Sequence, residues 1–383
     1  MARYGSYGEG RVAQALREAL AGRLGRSHGG GYRVPPTEGL GGAAGACAPM
    51  WQNFEQIAEY YSSSRARLAP LSAWTKGFCD QQVNRLDERN AAGFTRECHG
   101  DLHLGNVALI DGHPVVFDAI EFNPAFRWID PTNDVAFLTM DLRQRGLDRL
   151  ADRFINRYVQ AAGDYDGLTL LQGFEVYRAL VRAKIAAIRL RQPDLGDSER
   201  GTIEAEFDAY LALAEQLIAP RRGAVVILHG VSGSGKSYLS QQLVGQMPAV
   251  IVRSDIERKR LLGLEATANA TSHDAYSEEM TAQTYERLED AVAIGAQAGC
   301  IAVADATFLR RADRQQFRSL AGTLQVPFAI IDCDAPVEVL EERIARRATH
   351  TANVSDADRA VLHRQLANTE PLDQEEKARA VRT

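Results

Sequence analysis

The segment Gly230-Val231-Ser232-Gly233-Ser234-Gly235-Lys236-Ser237 limits the possible folds of this 383-residue chain more than any other. It fits the pattern GxxxxGK[ST], follows the apolar run 224–229 and opens a helical pattern over 238–244. The glycines let successive backbone N–H groups turn inward around a phosphate, and the helix N-terminus adds partial positive charge. The alternative is a glycine-rich turn with an incidental lysine, but only five of the 44 basic residues are lysines. The segment therefore predicts a nucleoside-triphosphate site, with ATP as cofactor.

Two further residues define the metal side of that site. Lys236 is expected to reach the β- and γ-phosphates, and the Ser237 hydroxyl to hold Mg²⁺. A later apolar run ends in Asp305, which we assign to the same metal site. ATPases that hydrolyse ATP usually carry a glutamate after this aspartate to orient water, whereas here Ala306 follows. The pattern favours transfer to a bound acceptor over hydrolysis.

The order of apolar runs predicts an α/β fold for the C-terminal part of the chain. Beyond the break at Pro220–Gly223, short apolar runs alternate with helical sequence, which is typical of a parallel sheet covered by helices on both faces. The predicted strands are 224–229, 249–252, 300–304 and 326–331. We therefore place one domain over 222–383.

The preceding part reads as mostly helical, with a single short strand pair. Apolar residues recur at three-to-four spacing over 51–219. Two short apolar runs, 107–110 and 115–117, flank Asp111-Gly112, which is a β-hairpin pattern. Residues 1–50 hold twelve of the 32 glycines and are expected to be poorly ordered. The predicted domains are thus 1–50, 51–220 and 222–383.

Composition excludes several classes of protein. With 45% apolar and 25% charged residues, the chain has no apolar run near the ~20 residues that a membrane span needs. Its net charge of −6 argues against a broad nucleic-acid surface. The five cysteines are odd in number, form no CxxC pair and follow no signal-peptide pattern, which predicts reduced thiols and a cytoplasmic location.

An acceptor site is expected where the second strand ends, at Arg253-Ser254-Asp255 and Arg258. Ligands of such folds bind at the carboxyl edge of the sheet. Asp255 is suited to accept the proton of an acceptor hydroxyl, and Arg253 and Arg258 to bind an anionic substituent. The alternative is an aspartate helix cap followed by a solvated basic turn.

A basic helix follows the fourth strand. Its arginines either close over the phosphates during transfer or are C-terminal charges favoured by the helix dipole. They are Arg343, Arg346 and Arg347.

The segments GVSGSGKS, RSDIERKR, VADATFLRR and ARRATH resemble small P-loop kinases of the zeta-toxin, gluconate-kinase and polynucleotide-kinase type. The resemblance covers roughly residues 222–383. It implies that Asp255 is the acceptor-activating base and that the three arginines form the lid. Such kinases add a final strand after the lid, and in this chain that strand would begin only at Val381.

A second phosphotransfer pattern lies at His99-Gly100-Asp101-Leu102-His103-Leu104-Gly105-Asn106. Asp101 is suited to accept an acceptor proton, and Asn106 and Asp118 to ligate Mg²⁺. A zinc pair formed by His99 and His103 is the alternative, but the glycines indicate a loop and no third ligand is evident nearby. The segment is similar to the Brenner motif of aminoglycoside phosphotransferases and choline-kinase-like enzymes, as is the run 128–136.

The resemblance lacks one part. Such kinases grip the nucleotide with an N-terminal lobe that carries a strand lysine and a glycine loop. The only lysine before His99 is Lys76, which has neither beside it. We therefore expect an incomplete first domain, in a chain similar to bacterial proteins that fuse an aminoglycoside-phosphotransferase-like domain to a P-loop kinase.

The sequence thus predicts an ATP- and Mg²⁺-dependent phosphotransferase that acts on the hydroxyl of a small-molecule acceptor through its C-terminal domain. One alternative is a nucleotide-binding regulatory protein without turnover. Another is a nucleic-acid or nucleotide-sugar kinase of the zeta-toxin type, which the lack of an aromatic and basic stacking surface disfavours.

Overall fold

The computed structural model of the chain describes residues 20–30, 40–266, 268, 277–348 and 359–382. The chain divides into two compact units. The first unit comprises Met1–Tyr158 and Gly167–Pro220, and the second comprises Val159–Asp166 and Arg221–Thr383.

The first unit is mainly helical. Its helices are α1 Ala21–Gly30, α2 Gly42–Tyr60, α3 Arg65–Ala91, α4 Pro124–Arg127, α5 Pro131–Gln144, α6 Asp148–Ala162, α7 Leu168–Arg189 and α8 Asp197–Leu217. The end of α6 already belongs to the second unit. The core lies between α2, α3, α5, α7 and α8, where apolar side chains spaced three or four apart on each helix are buried together.

Two short antiparallel strand pairs interrupt the helices of the first unit. Strand β1 (Arg96–Glu97) pairs with β4 (Trp128–Ile129), and β2 (Val107–Ile110) pairs with β3 (His113–Val116). The predicted hairpin is confirmed. Asp111 and Gly112 have φ of 50° and 79°, the left-handed conformations that a two-residue hairpin turn requires.

The segment predicted to be poorly ordered contains helical structure. Helix α2 begins at Gly42, inside the range 1–50, and four alanines in its first two turns favour a helix. The prediction of reduced thiols is wrong for Cys47 and Cys79, which form a disulfide between α2 and α3. Packing of the two helices places the Cα atoms of the two cysteines 6.2 Å apart, which is within the range that a disulfide spans.

The second unit is built on a parallel sheet. Its strands are β5 Ala224–His229, β6 Ala249–Arg253, β7 Ile301–Asp305, β8 Phe328–Asp332 and β9 Ala380–Arg382. Its helices are α9 Lys236–Leu243, α10 Ser254–Leu261, α11 Glu278–Gln297, α12 Arg311–Thr323, α13 Val337–Ala348, α14 Arg359–Ala367 and α15 Gln374–Ala378. The strand order is β6-β7-β5-β8-β9, and every pair is parallel.

The predicted parallel α/β sheet is confirmed, because all four expected strands form. Each is an apolar run, and β5 is buried from its second residue onward. The carboxyl ends meet at one edge, where Arg253 lies opposite Asp305 and His229 opposite Asp332. Strand β9 adds a fifth, three-residue strand beside β8. Among the described residues, no helix is long and apolar enough to cross a membrane.

Candidate active site

The loop between β5 and α9 adopts a conformation that only glycine allows. Gly230, Gly233 and Gly235 have φ of 134°, 88° and 105°. A Cβ on Gly230 would lie 2.2 Å from the carbonyl oxygen of Cys333, so any other residue would displace the backbone. This loop shape therefore depends on glycine at these positions.

Lys236 follows the loop and points back into it. Its side chain is buried, and Nζ donates hydrogen bonds to the carbonyl oxygens of Gly230 at 2.7 Å and Val231 at 2.8 Å. The hydroxyl of Ser234 is also buried and makes no hydrogen bond. A cation and an unused hydroxyl group inside a glycine loop form a polar cradle suited to phosphate oxygens.

Asp305 ends β7 and lies beside the loop. Burial raises the pKa of its carboxyl group, and Asp255 adds to the rise, although Arg253, Lys236 and a hydrogen bond with Ser237 act in the opposite direction. Its Oδ2 atom is buried without a hydrogen-bond donor, with Arg253 Nε 3.5 Å away. Asp305 thus interacts with residues of two other predicted segments, the glycine loop and the start of α10, so three separately predicted segments meet here.

The oxygens of Ser237 and Asp305 fit Mg²⁺, which prefers hard oxygen ligands. The observation that supports this fit is the buried Oδ2 atom of Asp305, which accepts no hydrogen bond. Among the described residues, no group of three or more His, Cys, Asp or Glu side chains is placed to hold a metal ion. A cation here would thus depend on phosphate and water oxygens for its other ligands, as Mg²⁺ at nucleotide sites does.

The residues predicted for the acceptor site lie at the start of α10. The helix begins at Ser254, and Arg253 occupies the cap position, so Asp255 lies inside the first turn and is not the cap. Asp255 Oδ1 is 3.9 Å from Nη1 of Arg258, and both side chains are at least half-buried. The Ser254 hydroxyl donates to the Asp305 carbonyl oxygen at 3.1 Å. The edge thus presents a carboxylate beside a buried guanidinium.

Helix α13 lies against the phosphate loop. Arg343 Nη1 donates to the Gly233 carbonyl oxygen at 3.1 Å, whereas Arg346 is exposed. The side chain of Arg347 lies outside the described residues. One of the three predicted lid arginines therefore contacts the loop.

Sequence reasoning missed a contact from α14. The side chain of Gln365 accepts a hydrogen bond from the Ser232 backbone N–H at 2.8 Å. Val231 of the loop packs in a small apolar cluster with side chains of α13 and α14. No local signal marks Gln365, because its partner is 133 positions away in the sequence.

In the first unit, the structure brings Asp101 and Asn106 together. Asn106 Nδ2 donates to the carbonyl oxygen of Asp101 at 3.0 Å and to its Oδ2 at 3.2 Å. Burial raises the pKa of Asp101, but His103 and the charges of two arginines lower it more, so the net pKa is below its usual range. Asp118 follows the hairpin in a left-handed conformation, with φ of 62°.

The two histidines of this segment brace the loop. His99 Nε2 donates to the Phe117 carbonyl oxygen at 2.8 Å, and His103 Nδ1 accepts from the Gly105 N–H at 3.0 Å. Asp134 accepts hydrogen bonds from the backbone N–H groups of His99 and Gly100. These contacts favour the structural role over a zinc pair.

Lys76 lies on the surface of α3. It is exposed and pairs with Asp80, one helical turn away, at 2.7 Å. Within the described residues 20–30 and 40–95, every regular element is a helix, and the first strand begins at Arg96. In that described part, no strand lysine or glycine loop faces the Asp101 segment.

Two family models match the chain, one for each half. Residues 3–171 match the phosphotransferase enzyme family, and residues 225–372 match an AAA domain. An uncharacterized protein of Mycobacterium tuberculosis strain H37Rv is 27% identical over 317 residues, which cover 80% of this chain and 62% of that protein. The chain thus spans less than two thirds of the length of the curated relatives it matches.

Among solved structures, similarity is found to a sugar kinase from Janibacter sp. HTCC2649. It is 21% identical and covers 43% of this chain and 85% of that one, with a TM-score of 0.31. A gluconokinase from Sinorhizobium meliloti 1021 is 22% identical over 43% of this chain and 83% of that one, with a TM-score of 0.28. The chain is thus similar to the phosphotransferase enzyme family in its N-terminal part and to an AAA domain in the C-terminal part that holds the glycine loop and Lys236.

Proposed function

We propose that the chain is an ATP-dependent kinase that transfers the γ-phosphoryl group of ATP to a hydroxyl of a small molecule in its second unit. The observation that carries the proposal is the arrangement at the carboxyl edge of the sheet. Lys236 lies inside the glycine loop, and Arg253 pairs with Asp305 at the ends of β6 and β7. Asp255 lies in the first turn of α10, which follows β6 directly. Phosphate-binding and proton-accepting groups therefore meet at one place.

The phosphate side of the mechanism depends on positioning and charge. The loop N–H groups and Lys236 would hold the β- and γ-phosphates in line. Mg²⁺, held by Ser237 and Asp305, would supply charge neutralisation when bound with the nucleotide. Arg343 already contacts the loop, and with Arg346 and Arg347 it would stabilise the negative charge of the transferred group.

The acceptor side of the mechanism depends on α10. Asp255 would take the proton of the acceptor hydroxyl as the oxygen attacks phosphorus. Arg253 and Arg258 would bind an anionic substituent of the acceptor. Ala306 follows Asp305, so no glutamate stands there to activate water, and this favours transfer over hydrolysis.

For the first unit, we propose that the Asp101 segment does not catalyse phosphate transfer in this chain. Asp101 is placed as an acceptor base, and Asn106 and Asp118 as weak Mg²⁺ ligands. Catalysis also needs a grip on the triphosphate, and Lys76 is committed to an exposed ion pair on α3. The first unit would then bind a ligand or serve as a scaffold.

The test is ADP formation by the full chain with MgATP and a panel of hydroxyl compounds: polyols, sugar acids, amino alcohols, nucleosides and a 5′-hydroxyl oligonucleotide. The proposal expects ADP release that depends on one class of small acceptor. ATP binding with no acceptor-dependent ADP would favour the regulatory alternative. Label transfer to the oligonucleotide alone would favour the nucleic-acid kinase.

A further inference from the structure

A short segment from the middle of the chain is built into the second unit. Residues 159–166 lie between helices of the first unit in the sequence but belong to the second unit. The side chain of Gln160 donates to the Ile251 carbonyl oxygen of β6 at 3.1 Å. The Gln160 carbonyl oxygen accepts from Arg260 Nη2 of α10 at 2.5 Å. The segment thus contacts both the strand that leads into α10 and α10 itself.

The same segment continues across α11 and fits closely against α10. The Gly163 carbonyl oxygen accepts from Arg287 Nη2 of α11 at 3.0 Å. Gly163 has φ of 72°, and a Cβ there would lie 2.7 Å from Nε of Arg260. A side chain at this position would be strained at this φ and would displace the Arg260 side chain, so the position favours glycine.

Tyr165 adds a buried contact between the segment and α10. It is 1% exposed, and its hydroxyl donates to Oε1 of Glu257 at 2.9 Å. Glu257 is fully buried, hydrogen-bonded by Arg260 and 3.5 Å from Nε of Arg287. A buried carboxylate held by a phenol and two guanidinium groups has little freedom to move, because breaking such a set leaves a buried charge unpaired.

The geometry of a helix relates this cluster to the proposed acceptor site. Residues three apart share a face, so Glu257 and Arg260 form one face of α10, and Asp255 and Arg258 form another. Residues that are two apart in the sequence differ by about 200° around the helix axis, so Asp255 lies nearly opposite Glu257. The segment therefore holds the face of α10 that lies away from the acceptor residues.

We propose that residues 160–165 are a positioning element of the acceptor site, with Tyr165 as a positioning residue. By fixing the rotation of α10, they hold Asp255 and Arg258 at the edge of the sheet. This inference rests on the proposed function of those two residues. Displacement of a catalytic group by about 1 Å can lower a rate by about 100-fold, so loss of the contact affects acceptor use more than ATP binding.

The experiment compares Tyr165→Phe with the parent chain, using MgATP and the panel compound that gives the fastest ADP release. The substitution keeps the ring and removes only the hydroxyl group. We expect kcat/KM for the acceptor to fall about ten-fold while KM for ATP stays within about two-fold. Backbone amides of 254–261 should exchange hydrogen faster than in the parent, and those of 236–243 at the parent rate.

Tyr177→Phe is the matched control, because Tyr177 is a buried tyrosine of α7 in the first unit. It should leave the acceptor kinetics unchanged. If Tyr165→Phe does not fold, Gln160→Ala, which removes the bond to Ile251, must show the same selective loss. Equal loss of ATP and acceptor affinity, or parent-like acceptor kinetics, overturns the inference.

The variant Asp255→Asn separates the two proposals. If it transfers phosphate at the parent rate, the assignment of Asp255 fails, whatever Tyr165→Phe does. If Asp255→Asn loses transfer and Tyr165→Phe behaves as the parent, only the positioning role of Tyr165 fails.

Discussion

Lys236 is the residue on which nucleotide binding depends most directly in this account. Its ammonium group is buried within the loop and bonded to two loop carbonyl oxygens. That geometry holds a positive charge where phosphate oxygens would approach. The same contacts lie at the loop rather than in the apolar core, so the lysine serves the ligand more than the fold.

Lys236→Ala should abolish the stabilisation of the chain by ATP. A ligand at 100 times its Kd stabilises the folded state by about 2.7 kcal/mol, and loss of the phosphate charge removes most of that effect. The measurement is the shift of the thermal unfolding midpoint on addition of MgATP. Lys377→Ala, which removes a charge from an exposed position, should keep the parent shift. A parent-like shift in Lys236→Ala would remove the lysine from the site.

Asp255→Asn should keep ATP affinity and lose transfer. General-base catalysis contributes about 10² to 10⁴ in rate, and the amide cannot accept the hydroxyl proton. Acceptor-dependent ADP release measures the effect, with ATP affinity taken from the thermal shift. Asp290→Asn, an exposed aspartate on α11, is the control and should be silent. Equal transfer by Asp255→Asn and the parent would return Asp255 to a structural role.

At the scale of elements, the sequence predicted what is local. The phosphate loop is predictable because its glycines, lysine and flanking strand lie within about fifteen residues, and each acts on its neighbours. The strands β5 to β8 are continuous apolar runs, so the sequence predicted that they exist. The predicted starts of β7 and β8 were one and two residues too early.

Contacts between distant elements were not predictable. Gln365 bonds Ser232, Tyr165 bonds Glu257 and Arg314 bonds Glu376 across 133, 92 and 62 positions. The first joins a side chain to a backbone N–H group and the other two join side chains, and no apolar period marks the polar residues involved. The disulfide of α2 and α3 was missed for the same reason, since cysteine spacing does not reveal which helices pack.

The edge strand β9 is anchored by a buried ion pair. Arg314 on α12 bonds both carboxylate oxygens of Glu376, at 2.7 and 3.0 Å, and both side chains are buried. Arg314 also donates to the carbonyl oxygens of Glu370 and Pro371. The segment that leads into β9 is therefore fixed to the rest of the second unit through one guanidinium group.

Glu376→Ala should lower the free energy of unfolding of the second unit by about 3 to 5 kcal/mol, because it leaves the buried Arg314 charge unpaired. Urea denaturation measures the change. Glu375→Ala on the same helix removes an exposed partner of Arg318, and should leave the denaturation midpoint nearly unchanged. A similar loss in both variants would contradict a special role for the buried pair.

The same pair gives a pH dependence with a defined sign. Burial raises the pKa of Glu376, but Arg314 and the Asp373 backbone lower it more, so its net pKa lies below the usual glutamate range. A carboxyl group whose pKa is lowered on folding stabilises the folded state at any pH above its unfolded-state pKa. That contribution is lost as the pH falls through its folded-state pKa. The stability difference between the parent and Glu376→Ala should therefore shrink in acid. A difference that grew in acid would reverse the assignment.

At the scale of the whole molecule, the chain carries two phosphotransfer patterns in two units. The Asp101 segment is well formed, with Asn106 oriented by Asp101 and the loop held by Asp134. The residues described before it, however, form helices, and Lys76 is exposed on one of them. The second unit holds the glycine loop and the residues that we propose as the acceptor site, so we propose that phosphate transfer occurs there.

The most direct test of that placement is acceptor-dependent ADP formation by the full chain, measured in parallel for the parent, Lys236→Ala and Asp101→Asn. Asp101→Asn should retain the parent rate within about two-fold, because the residues described before Arg96 form helices and offer no strand lysine or glycine loop to hold the triphosphate. Lys236→Ala should lose nearly all of it, since a lost phosphate contact removes several kcal/mol of transition-state stabilisation. The reverse pattern, with Asp101→Asn inactive and Lys236→Ala active, would contradict the account and make the Asp101 segment the working centre.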